Sequence, residues 1–297
     1  MAEAVERCGY VALVGRPNVG KSTLLNHLLR QKLAITSRKP QTTRHLLLGV
    51  DTNGPHQAIY VDTPGIHDQT DRQINRYMVR AATSVLQDVD VVVMVVDRDV
   101  WTEGDEVVLA HVRKARAARF AVINKIDLIR NKNRLLPVIE HLQNLGCFDQ
   151  VIPVSALRDE GLDALRAEVA SSLPQHPHMF PADQLTDQPE RFLVAEIIRE
   201  KLMRRYGDEI PHRTAVVIEG YQEGERVTDI AADIYVERPG QKRIIIGKGG
   251  EKLREVGRDA RQDIEKLLDR KVMLRLWVKV KPGWTNDRTQ LRRMGFD

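Results

Sequence analysis

Gly15-Arg16-Pro17-Asn18-Val19-Gly20-Lys21-Ser22 places two glycines with four residues between them and follows them with Lys and Ser. A turn of this kind points successive backbone N–H groups at a phosphate, and a following helix adds the positive end of its dipole. Gly15, Asn18, Val19, Gly20, Lys21, Ser22 and Thr23 are the candidate cradle. Lys21 would neutralise the β- and γ-phosphates and the Ser22 hydroxyl would hold Mg²⁺, so Lys21 is also a candidate catalytic group.

Asp62-Thr63-Pro64-Gly65 comes next. Asp62 can hold Mg²⁺ through a water, and the Gly65 N–H can meet a γ-phosphate. Thr42 and Thr43, in the polar loop Thr36 to His45, can bring a hydroxyl to the same ion only while a γ-phosphate holds the loop, which would make the loop a switch. Thr43 and Gly65 join Lys21 as candidate catalytic groups. The metal set is Ser22, Thr43 and Asp62.

Asn124-Lys125-Ile126-Asp127 selects the base. A carboxylate at Asp127 accepts from guanine N1–H and N2–H₂, and adenine would leave that charge unpaired. Lys125 would lie over the base, Asn124 would tie this loop to the first, and the backbone N–H near Ala156 in Val154-Ser155-Ala156-Leu157 could donate to guanine O6. The nucleotide is therefore expected to be GTP or GDP.

These motifs must be carried by strand ends. Residues 9–14 read as a buried strand and Lys21 to Arg30 as the helix after it. Asn53-Gly54 joins two paired strands, and Val89 to Asp97 is almost wholly β-branched, as a strand buried on both faces is. Helical patterns alternate with strands through Ser172, which means a mostly parallel, doubly wound α/β sheet with ligands at the C-terminal strand ends. The proline-bearing stretch 174–189 reads as a linker. Beyond it the pattern is α+β in the order helix, strand, strand, helix, strand, with Phe192, Ala195, Ile198 and Leu202 on one side of the first helix.

Lys and Arg outnumber Asp and Glu 46 to 41, and the whole excess falls after residue 189, where 24 basic residues stand against 19 acidic. Such a bias points to a polyanion. There, Gly247-Lys248-Gly249-Gly250 lies between the apolar lead Arg243 to Ile246, read as a strand, and a helix. KH domains clamp about four nucleotides of single-stranded RNA with a Gly-x-x-Gly loop so placed. Ile246, Gly247, Lys248, Gly249, Gly250 and Lys252 are the candidate RNA contacts, with Ile244, Ile245 and Leu253 lining the groove. Trp277 and Trp284 are interleaved with a basic tail; Trp277 reads as a core position and Trp284 as the more open of the two.

The chain resembles the translation-factor-like GTPases, and within them the Era family, on the P-loop, Gln41-Thr42-Thr43-Arg44, Asp62-Thr63-Pro64-Gly65, Asn124-Lys125-Ile126-Asp127 and Ser155-Ala156. The resemblance covers essentially the whole chain. It implies a P-loop GTPase domain over 1–173, the linker, and a type II-like KH domain with a basic tail over 190–297. It also implies a GTP-hydrolysing switch that binds small-subunit ribosomal RNA and assists assembly of the 30S-type particle. Ras-type proteins place a water-orienting Gln after Asp-x-x-Gly; here Ile66 and His67 stand instead, and slow turnover aided by a partner or ion is expected. Related GTPases with an apolar residue at Ile66 and Asn at Asn18 use K⁺, which this sequence resembles.

Two cysteines, Cys8 and Cys147, argue against a disulfide framework. The longest apolar run, Val91 to Val96, is far short of a membrane span. With no signal-peptide pattern, a cytoplasmic monomer is expected. The rival readings are an RNA-binding protein with a structural nucleotide site, and a membrane-associated cell-cycle GTPase whose tail touches the inner membrane surface.

Overall fold

The computed structural model describes residues 5–37, 39, 41–66, 73–207, 210 and 213–294. The chain forms two compact units: Met1–Thr36, Thr43–Thr70 and Asn75–Asp187 make the first, and Ser37–Thr42, Asp71–Ile74 and Gln188–Asp297 the second.

The first unit holds a six-stranded sheet in the order β2-β3-β1-β4-β5-β6, formed by β1 (Arg7–Val14), β2 (Leu47–Asn53), β3 (His56–Asp62), β4 (Val91–Asp97), β5 (Ala118–Asn124) and β6 (Gln150–Pro153). Only β2 runs antiparallel, joined to β3 by the tight turn at Gly54, whose φ is 56°. Every residue of β4 is buried, and covering both faces is what its unbroken Val-rich run requires. Helices α1 (Lys21–Leu28), α2 (Gln73–Ser84), α3 (Glu103–Val112), α4 (Leu135–Asn144) and α5 (Leu162–Ser172) complete the unit.

Register makes the motifs neighbours. Leu13 pairs with Asp62 on one side of β1 and with Val93 on the other, and Asp97 pairs with Asn124. The strand order reverses about β1, and the crevice at such a switch point is where doubly wound sheets bind ligands.

The proline-bearing stretch is fastened to this unit. The Cys8 N–H donates to the Pro174 carbonyl at 3.2 Å and the Val50 N–H to Leu185 at 2.8 Å. Gln57, fully buried, accepts from the Met179 and Phe180 N–H groups at 2.9 and 3.0 Å. The last crossing of the chain from the first unit to the second falls between Asp187 and Gln188.

The second unit contains α6 (Glu190–Arg205), β7 (Thr214–Glu223), β8 (Val227–Val236), α7 (Pro239–Ile246), α8 (Glu251–Leu268), β9 (Lys271–Val280) and α9 (Arg288–Arg293). Its sheet runs β7-β8-β9, antiparallel then parallel. Ile198, Leu202, Ile230, Ile234, Val256 and Ile264 are among its core residues. The buried face of α6 is carried by Leu193, Val194, Ile197 and Ile198 rather than by Phe192 and Ala195, which are half-buried.

Three expectations are corrected here. The lead into Gly247 is a helix, because Pro239 fixes its first turn and the side-chain carbonyl oxygen of Gln241 accepts from the Glu237 and Arg238 N–H groups at its start. Ile245 therefore turns into the core instead of lining a groove, while Ile244 is exposed. The tryptophans exchange roles: Trp277 is 47% exposed and Trp284 is wholly buried. In β9 the aliphatic residues Val272, Leu274, Leu276 and Val278 take the inner face, which leaves Trp277 on the outer row with Arg275 and Lys279. Among the described residues no helix is long and apolar enough to cross a membrane.

Candidate nucleotide site and RNA-facing loop

The loop between β1 and α1 is shaped by what lies behind it. Gly20 has φ 104°, and a Cβ there would stand 2.3 Å from the Asn124 amide nitrogen, so only glycine fits. Lys21 is buried, and its Nζ donates to the Gly15 and Arg16 carbonyls at 3.0 and 3.2 Å. Burial lowers its pKa to about 8 against the opposing pull of the Asp62 charge. An ammonium held on the cradle's own carbonyls is ready for a phosphate to take over.

Ser22, Thr43 and Asp62 converge. Asp62 Oδ2 accepts from Ser22 Oγ at 2.6 Å and from Thr43 Oγ1 at 3.2 Å, and the two hydroxyl oxygens are 2.7 Å apart. Asp62 is fully buried, and its Oδ1 has no hydrogen-bond partner among the described residues. Burial pushes its pKa up, against the Lys21 charge and the two hydroxyls. A buried carboxylate with an unused oxygen beside two hydroxyls suits a hard cation with oxygen ligands, so these residues fit Mg²⁺. Of the two threonines only Thr43 is so placed. Thr42 Oγ1 donates to the Lys39 carbonyl at 2.6 Å, and its own carbonyl accepts from Arg199 Nη2 at 2.5 Å within the second unit.

The Thr63 hydroxyl donates to the Leu13 carbonyl at 2.8 Å, and Gly65 lies against Pro17, where a Cβ would come within 2.7 Å. The Ile66 N–H donates to the Gly15 carbonyl at 3.3 Å while its side chain is buried in the core of the first unit. His67 lies outside the described residues.

Asn124 ties the base-selecting loop to the phosphate loop. Its Nδ2 donates to the Val19 carbonyl at 2.9 Å, and its Oδ1 accepts from the Lys125 and Ala156 N–H groups at 2.7 and 3.0 Å. The Ala156 amide, expected at guanine O6, is thus engaged by Asn124, because the register of β5 and β6 brings their ends together. Asp127 Oδ1 accepts from Ser155 Oγ at 2.6 Å, which aims the carboxylate.

Sequence reasoning missed Asp97. Its Oδ2 accepts from Lys125 Nζ at 2.9 Å, and Lys125 also donates to the Asn18 carbonyl at 2.6 Å. Burial works to raise its pKa, but the Lys125 and Arg98 contacts outweigh it and hold the carboxyl below its usual range. A carboxylate closing the apolar run of β4 was the available signal. Asp105, also missed, holds Arg16 Nε at 3.1 Å from a fully buried position.

In the second unit, Gly247-Lys248-Gly249-Gly250 joins α7 to α8. Gly247 has φ 72°, and a Cβ there would meet the Lys252 stem at 2.8 Å. Gly249 and Gly250 open onto free space, with Lys248 and Lys252 exposed and Ile246 half-buried beside them. Glycine backbone, two cations and a helix N-terminus meet there, as close approach to phosphates requires.

The sheet, the phosphate loop and the base-selecting loop define a P-loop GTPase, followed by a KH domain. Residues 10–125 match the family described as 50S ribosome-binding GTPase, and residues 209–285 match the KH domain. The chain is 53% identical over 290 residues to the GTPase Era of Pseudomonas putida, covering 98% of this chain and 96% of that one. It is 52% identical over 292 residues to that of Ectopseudomonas mendocina, covering 98% of each. A crystal structure of Era with MgGDPNP and nucleotides 1506–1542 of 16S ribosomal RNA superposes with a TM-score of 0.95 at 39% identity, covering 98% of this chain and 99% of that one. A point variant of Aquifex aeolicus Era bound to GDP and AlF₄⁻ gives 0.94 at 39% identity over the same shares. The chain belongs to the Era family of GTPases.

Proposed function

We propose that the chain hydrolyses GTP to GDP and phosphate, and that its nucleotide state governs its hold on small-subunit ribosomal RNA during assembly of that subunit. It acts as a cytoplasmic monomer. One observation carries the reading: Asn124 joins the guanine loop to the phosphate loop, while the same chain presents an open Gly-x-x-Gly loop between two helices. A relative 39% identical binds MgGDPNP and a 16S RNA segment together, which supports it.

Lys21 leaves the Gly15 and Arg16 carbonyls for the phosphates, Ser22 and Thr43 offer oxygens to Mg²⁺, and Asp127 accepts from the guanine edge. Bound there, Mg²⁺ supplies charge compensation at the γ-phosphate. Ile66 is turned into the core and cannot orient water, so intrinsic turnover is slow. Asn18, which is exposed on the phosphate loop, would help to hold a K⁺ ion, and that ion would supply further positive charge there.

Residues 37–42 cluster with the second unit, where Lys39 Nζ donates to the Tyr206 carbonyl and Arg199 to that of Thr42, one residue before Thr43. That contact supports coupling of the loop to the RNA-binding unit. Lys21→Ala tests the cycle: lost cellular function with normal fold and RNA affinity is expected, and retained function would favour a structural nucleotide site. Gly249→Asp, at an open left-handed position that Asp tolerates, should weaken RNA binding and leave GTP hydrolysis unchanged. Undiminished RNA affinity in filter binding would remove the clamp. A membrane role finds less support, since α9 is only six residues long.

A further inference from the structure

Tyr206 stands where three segments of the second unit meet. Its N–H closes α6 on the Leu202 carbonyl at 3.2 Å, and its ring is buried in the core of that unit. The last carbonyls of a helix have no partner within it. At the end of α7 the Gly247 N–H takes up the Arg243 carbonyl at 2.9 Å, and the Tyr206 hydroxyl donates to the Ile245 carbonyl at 2.8 Å, two residues before Gly247. The Tyr206 carbonyl, at the C-terminal end of α6, accepts in turn from Lys39 Nζ. A cation there also meets the negative end of the helix dipole. Lys39 belongs to residues 37–42, which end one residue before Thr43 and are tied again to α6 where Arg199 donates to the Thr42 carbonyl. One residue thus holds the end of α7 through its side chain and the loop before Thr43 through its backbone.

We propose that Tyr206 is the positioning residue through which the loop 37–42 acts on Gly247–Gly250. This rests on the reading that nucleotide state governs the hold on RNA. A change in the loop beside Thr43 alters the pull of Lys39 on the end of α6. The Tyr206 ring, close-packed in the core, passes that change on rather than absorbing it, and its hydroxyl delivers it to the last turn of α7. A packing role would need the ring alone; the hydroxyl has as its partner the carbonyl that leads into the Gly-x-x-Gly loop.

The test uses the full chain as wild type, Tyr206→Phe, Lys39→Met and the double variant. Each is saturated with GDP or with a non-hydrolysable GTP analogue, and its affinity is measured for an RNA spanning nucleotides 1506–1542 of 16S ribosomal RNA. The wild-type affinities in the two states should differ about fivefold or more. Each single variant should bring that ratio to within about twofold of unity, and the double variant should go no further. GTP hydrolysis without RNA should stay unchanged in Tyr206→Phe, whose ring still fills the core. A hydroxyl that only stabilised the fold would lower RNA affinity equally in both states and leave the ratio intact, which would overturn the tie. So would a ratio kept in Lys39→Met, or losses that add in the double variant. Lys39→Met leaves the core untouched and judges the tie even where Tyr206→Phe proves unstable. A wild-type ratio near one is a different result: it removes nucleotide control of RNA binding itself, and the tie with it.

Discussion

The Lys125 ammonium lies 2.9 Å from Asp97 Oδ2 and 2.6 Å from the Asn18 carbonyl oxygen, so one side chain braces the base-selecting loop against both the phosphate loop and the end of β4. Asp97→Asn keeps the shape and removes the charge. With Lys125 30% exposed, the loss should be about 1 kcal/mol, below the usual range for a charged hydrogen bond. Release of a fluorescent GDP analogue should quicken about fivefold, and an unaltered rate would show that Asn18 alone positions Lys125.

Lys21 sets a pH dependence. Its pKa falls from 10.5 to about 8 on burial, so between those values the unfolded chain binds more protons and stability without nucleotide rises with pH. Bound phosphates restore the ammonium, so binding takes up a proton above pH 8. GDP affinity should be flat below pH 8 and fall by up to about tenfold per unit above it. Lys21→Met should bind weakly with no such break in a fluorescence titration.

Thr43 and Thr42 separate by their partners. Thr43→Ala removes a hydroxyl beside Asp62 and should raise the Mg²⁺ concentration needed to hold a GTP analogue. Thr42→Ala, whose hydroxyl serves the Lys39 carbonyl, should leave that requirement unchanged. Titrating Mg²⁺ against analogue binding compares them directly.

Replacing KCl by NaCl should slow single-turnover hydrolysis in the wild type, and Asn18→Ala should erase the difference. Equal wild-type rates in both salts would leave Asn18 without this role.

The two tryptophans predict opposite outcomes. Trp284→Ala empties a fully buried site whose indole N–H donates toward the Arg213 carbonyl, and should cost about 3–5 kcal/mol. Trp277→Ala, on the outer row of β9, should cost under about 1 kcal/mol. Chemical denaturation of each variant distinguishes them.

The sequence by itself determined the doubly wound sheet and the chemistry of its strand ends, because β-branched runs such as Val91–Val96 and the glycine-lysine loop express local preferences and fixed ligand needs. The expectation of guanine also comes from the sequence, since it rests on the donors and acceptors that a carboxylate at Asp127 would meet. Tertiary structure alone decided which threonine meets Asp62, that Ala156 serves Asn124, and that Asp97 holds Lys125, for each depends on register between strands far apart in sequence. The alternation of β9 was legible at Trp277 and outweighed there by the size of the indole; the helix before Gly247 was legible at Pro239. Nothing local to α8 announced that Glu255, Asp259 and Asp263 would be taken up by Arg205 and Lys201, because only the packing of α6 against it brings those partners within reach.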